Sequence, residues 1–201
     1  MKHCSYCFRE ISEELALRPD SDLLGVAYCS NDCQEKATSQ HHELLFGSGA
    51  AGILQETVQT APSPAQAAAR RLAQANFAEL FKSTGSNGMV LVARFIARMV
   101  ADETKKLQAQ VSTSQTPENA EVYTLFDHIE RLRYLEFSDT QTEAQKAALV
   151  DNLKTSAEGL EEFLKEDRYG VLVGKMAYNA IGVTLSGGRN DRVGPPFLLS
   201  I

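Results

Sequence analysis

From Ser63 to about Met176, stretches in which apolar residues recur every three or four positions alternate with short polar breaks, the pattern of successive amphipathic helices. Ser63 followed by Pro64 pairs an N-cap with a residue preset for the first helical position. A helix is therefore predicted through the alanine-rich AQAAARRLAQANFAELFK, ending at Ser83, Thr84 and Gly85. Ser86 restarts the chain as MVLVARFIARMVADETKKLQ, where Val92, Phe95, Ile96, Met99 and Val100 form one apolar stripe and are predicted core. Thr116 and Pro117 repeat the cap-plus-proline signal ahead of ENAEVYTLFDHIERLRYLEF, with Val122, Leu125, Phe126, Ile129 and Leu132 as its expected buried face. A polar helix, TEAQKAALVDNLKTSAE, follows. The run beginning at Leu160 suits a helix to about Met176, after which AYNAIGV reads as a short strand or turn entering another layer.

Upstream the pattern is different. Residues 8–28 are mixed and too short to build a core, whereas Ser30 and Asn31 are good N-cap types and Asp32 and Glu35 place negative charge in a first turn. A helix is predicted through QEKATSQHHELLF. Residues 47–52, GSGAAG, match a dinucleotide fingerprint in letters only. The strand that should precede it and the helix that should start within it are both missing, so a flexible linker is expected. The predicted fold class is mainly α: a small N-terminal module over residues 1–46, a linker over 47–62, a bundle of about five to six helices over 63–185, and an irregular tail over 186–201.

The chemistry lies in the N-terminal module. All four cysteines of the chain, Cys4, Cys7, Cys29 and Cys33, fall there as Cys-x2-Cys, 21 intervening residues and Cys-x3-Cys. Two close thiol pairs separated by a loop suit a tetrahedral Zn2+ ion, and filling all four positions with thiolate leaves no place for a catalytic water. One closed structural zinc site is expected. The metal would stand in for the missing core of this segment, contributing on the order of 10 kcal/mol or more to folding it. Two disulfides would require an oxidising compartment, toward which the opening Met-Lys-His-Cys carries no apolar leader. A redox Cys-x-x-Cys needs a βαβ setting absent around Cys4. Asp127, His128 and Glu130 resemble a catalytic cluster, but nearly consecutive helical positions fan around the axis, so they are assigned to a solvated face. No catalytic residue is assigned.

The chain has 201 residues, 43% of them hydrophobic, enough for a core, and a net charge of -6. Nucleic-acid affinity comes mainly from neutralising phosphates, so this acidic balance argues against it and in favour of a protein partner. No apolar run reaches the roughly 18 residues of a membrane span. A soluble, intracellular protein is expected.

The run Tyr28-Cys29-Ser30-Asn31-Asp32-Cys33-Gln34, followed by Ala37, His41 and His42, resembles the second half of a MYND finger. Such fingers sit inside the SET domain of the SET-and-MYND protein lysine methyltransferases, and the fungal branch of histone methyltransferases is the most similar. LVARFIARMVADETKK, FDHIERLRYLEF and GKMAYNAIGVTLSGGRND look like that branch's helical insert, so the resemblance spans about residues 3 to 192. The resemblance implies a second zinc bound partly by the residue matching His41. Here the loop holds no further cysteine and Leu45 stands at the last ligand position, so one zinc is expected and His41 reads as a packing histidine. His3 and His42 remain as substitute ligands. The resemblance further implies that Asn179 contacts S-adenosylmethionine in a full-length protein, that a protein or histone tail is the partner, and that the chain works in the nucleus or cytoplasm. An asparagine that ends a helix or satisfies a turn is the competing reading of Asn179. The glycine-bearing lobe, the Asn-His-Ser-Cys core motif and the aligning tyrosine that the family uses have no counterpart here, so no complete SET β-core and no methyltransferase activity are expected of this polypeptide alone.

Overall fold

The computed structural model describes residues 3–19, 22–47, 63–85, 87–112, 124–134, 140–156, 159–165 and 168–179. Among them the molecule is helical, with two isolated antiparallel bridges in the N-terminal module and no strand. No helix there is long and apolar enough to cross a membrane.

The N-terminal module folds as two chain reversals stacked on a helix start. Cys4 N–H donates to Arg9 O at 2.8 Å and Phe8 N–H to Cys4 O at 3.0 Å, closing a tight turn around Cys7 beside the His3–Glu10 bridge. That turn holds Phe8 at φ 62°, the left-handed region that side chains rarely adopt. The second reversal pairs Leu17 with Tyr28 through two backbone hydrogen bonds of 3.0 and 2.9 Å. Ser5 N–H donates to Ala27 O at 2.7 Å and stitches the two reversals together. A small apolar cluster of Ile11, Val26, Ala27, Tyr28 and Ala37 fills the space between them.

Helix α1 (Asn31–Ala37) starts where predicted: the Ser30 hydroxyl accepts from Cys33 N–H. It continues through a π-helical segment (Thr38–His42) into α2 (Glu43–Phe46), with Glu43 N–H reaching back five residues to Thr38 O. The wider turn lets two consecutive residues, His41 and His42, both be buried. Leu44, Leu45 and Phe46 then enter the main core rather than the small cluster, so the module's last turn belongs to the bundle's interior.

Helix α3 (Pro64–Thr84) has the predicted ends, a Ser63–Gln66 capping box and Gly85 at φ 62°. Helix α4 (Asn87–Ser112) carries the predicted stripe: Val92, Ile96, Met99 and Val100 are buried and Phe95 is partly so. Helix α6 (Thr140–Ser156) lies along α3, and the 3-10 turn Leu160–Leu164 packs on α6. Helix α7 (Arg168–Asn179) packs against α4, contributing Tyr169, Val173 and Met176 to the core.

The single helix expected from Leu160 is broken, with Lys165 extended between the 3-10 turn and α7, and two further expectations are corrected. The long helix expected over residues 118–137 is, in its described part, only α5 (Leu125–Glu130). Thr124 is extended, and its hydroxyl and N–H exchange hydrogen bonds with Asp127 in a capping box, which starts a helix afresh instead of continuing one. Ile129 is buried and Leu132 packs on the core, but Phe126 is 46% exposed; Thr116, Pro117 and Val122 lie outside the described residues. Asp127, His128 and Glu130 are exposed, as expected. The second correction concerns Ala177, Tyr178 and Asn179, which extend α7 instead of starting a strand, while the rest of AYNAIGV, the linker over 48–62 and the tail over 186–201 lie outside the described residues.

A candidate four-cysteine metal centre

The two reversals and the helix start bring Cys4, Cys7, Cys29 and Cys33 together, with all four sulfurs within 4.8 Å of one another. Cys7 Sγ lies 3.5 Å from Cys29 Sγ, and Cys29 Sγ lies 3.6 Å from Cys33 Sγ. None is in a disulfide. A tetrahedron of sulfurs each about 2.3 Å from a zinc ion has edges of about 3.8 Å, so these separations fit one ion with little adjustment.

The surroundings favour thiolate at one position and resist it at others. Burial of Cys4 opposes its ionisation, but the backbone at Cys7, Tyr6 and Cys29 favours the thiolate and brings its thiol down to about 7. Burial and the neighbouring sulfurs push Cys33 up to about 12, against the help of the Ser30 hydroxyl, and Cys7 is also raised, by burial first. Four sulfurs at such distances cannot all ionise without a cation among them. A divalent metal supplies that charge, which is the sense in which this donor set suits zinc.

None of His3, His41 and His42 joins the four sulfurs. His3 lies in the bridge to Glu10. His42 is buried, with its ring centroid 5.5 Å from that of Phe46. His41 is buried under α4, where desolvation, followed by the charges of Arg94, His42 and Arg98, lowers its imidazole from 6.5 to about 3. His41 is thus neutral when folded but takes up a proton below pH 6.5 when unfolded. Stability present above that pH is lost as pH falls from about 6.5 toward 3, amounting to about 2 kcal/mol by pH 5. Urea midpoints of the wild type and His41→Gln at pH 7.5 and 5 check this: the gap between the two proteins should narrow at the lower pH.

Asn179 sits at the end of α7, on a different element from the cysteines. Its side-chain N–H2 donates to Arg133 O at 2.7 Å and Lys175 O at 2.8 Å. Alongside it, the buried Lys175 pairs with Glu130 at 3.1 Å, so two contacts fasten α7 to α5 and the segment after it.

Sequence reasoning missed the residues that join the metal centre to the bundle. At the end of α2, Glu43 O accepts from Gly47 N–H, but the carbonyls that follow have run out of helical partners. Arg70, 3% exposed on α3, donates from Nε to Gly47 O at 2.9 Å and from Nη2 to Leu44 O at 3.1 Å and Glu43 O at 3.3 Å. Its Nη1 donates to Ser156 Oγ on α6 at 2.5 Å, and that hydroxyl in turn donates to Leu44 O. Gln74 adds bonds to Leu45 O and Gly47 O. A cation at the negative end of α2 thus ties it to α3 and α6. The signal was present in the spacing: Arg70 and Gln74 share a helical stripe with Ala73, Phe77 and Ala78.

No family model, curated protein or solved structure matches the chain.

Proposed function

We propose that this chain supplies the zinc-finger and helical-insert regions of a SET-domain protein lysine methyltransferase that uses S-adenosylmethionine on a histone or other protein tail, in the nucleus or cytoplasm. The observation that supports the reading is the convergence of Cys4, Cys7, Cys29 and Cys33, with Cys33 in the first turn of α1, in the run that carries the finger resemblance. In this reading the zinc is structural. It folds the finger, while α1, the π segment and α2 fix the finger on the bundle, and the methyl donor is bound, with Asn179 among its contacts, only in the full-length enzyme. Native mass spectrometry with and without S-adenosylmethionine, together with tritiated methyl transfer to core histones, provides the test. One zinc, no bound donor and no transfer are expected of this chain alone, and transfer is expected of longer polypeptides captured from cells by an antibody to residues 89–108. Captured polypeptides that bind no donor and transfer no methyl group would refute the proposal.

A second reading, a self-sufficient zinc-binding module for protein partners, draws support from Asn179. Both hydrogens of its amide are taken by Arg133 O and Lys175 O, a structural use that leaves no donor for a cofactor. Cellular protein confined to these 201 residues, in stoichiometric complex with a partner, would favour it.

A further inference from the structure

The four sulfurs are not equivalent. Cys4 and Cys33 are buried, Cys29 is half-buried and Cys7 is exposed, and the two less buried cysteines have their sulfurs 3.5 Å apart, against 3.6 Å for Cys29 and Cys33. They lie 22 positions apart in sequence, one in the first reversal and the other beside the Ser30 cap. In the metal-bound cluster Cys7 is therefore the cysteine most open to a dissolved oxidant.

Resting on the reading of this cluster as a zinc centre, we propose that Cys7 and Cys29 form a peroxide-sensitive pair whose oxidation to a disulfide releases the metal. The Cys7 thiolate attacks one oxygen of hydrogen peroxide: an S–O bond forms, the O–O bond breaks, and hydroxide leaves. The Cys29 thiolate then attacks the Cys7 sulfur, forming S–S as S–O breaks and a second hydroxide departs. Two thiolates have lost two electrons and the peroxide has gained them, ending as two waters once protons are taken up. The sulfurs need to close from 3.5 Å to about 2.05 Å, a movement within reach of the exposed Cys7 turn. Cys4 and Cys33 alone cannot complete a tetrahedral site, so the ion is lost.

The test begins with the zinc content of the reduced full chain, which decides the metal-centre reading by itself. Zinc-loaded chain is then treated with a small excess of hydrogen peroxide, released zinc is followed with a chromogenic chelator, and the disulfide is mapped. Chymotrypsin cutting after Tyr6 and Tyr28, with cleavage before Asp32, separates all four cysteines. Zinc release in step with a Cys7–Cys29 linkage, reversed by dithiothreitol plus zinc, is the expected result. Cys7→His keeps a fourth ligand without the thiol and should slow release roughly tenfold or more. A first linkage of Cys4 to Cys7 or of Cys29 to Cys33, a scrambled mixture, or zinc that stays bound in peroxide would each overturn the proposal in a chain that binds zinc. The wild-type disulfide map distinguishes these outcomes even if the Cys7→His chain fails to fold.

Discussion

Cys33→Ser should destabilise the whole described molecule, well beyond the N-terminal module. In the proposed zinc centre Cys33 is a ligand in the first turn of a helical run that ends with Leu44, Leu45 and Phe46 inside the main core. Structural zinc contributes on the order of 10 kcal/mol to folding a small module, and losing one thiolate forfeits several of these. In a chain of this size 1 kcal/mol corresponds to about 2–4 °C, so the thermal midpoint should fall by roughly 10 °C or more. Excess chelator under reducing conditions should reproduce the shift in the wild type and add little in Cys33→Ser. Were the metal centre energetically separate from the bundle, calorimetry would instead show an unaltered main transition.

Arg70→Met should produce the second large loss. The substitution keeps much of the side-chain volume but strips hydrogen bonds from Glu43 O, Leu44 O, Gly47 O and Ser156 Oγ in a buried setting. Gln74 still reaches Gly47 O, and Ser156 still reaches Leu44 O, so part of the cap survives. About 3–5 kcal/mol is expected, comparable to removing one partner from a buried charged network. Arg70→Lys should recover less than half of this, because an ammonium cannot fork to carbonyls on several sides. Urea unfolding followed by far-UV circular dichroism measures both. Equal stability of all three proteins would mean that the guanidinium does not hold α2 in place.

The periodic helices were legible because single local rules governed them. The Ser63–Pro64 start, the Gly85 stop and the Val92-to-Val100 stripe needed no knowledge of the rest of the chain. The meeting of the four cysteines was legible because spacing alone constrains where sulfurs can converge. Thr124 shows where this fails: an apolar repeat ran across it, but its bonds to Asp127 outweighed the repeat and began a new helix. Arg70 was hidden for a different reason. Its partners are carbonyls 23 to 27 positions earlier and a hydroxyl 86 positions later, and only the assembled bundle makes one of two adjacent arginines in an alanine-rich helix into a cap.

Zinc-edge X-ray absorption on the chain loaded under reducing conditions tests the four-sulfur centre most directly. One retained zinc ion with four sulfur neighbours at about 2.3 Å is predicted. A shell containing nitrogen or oxygen in place of any of those sulfurs, or a folded chain that retains no zinc, would contradict it.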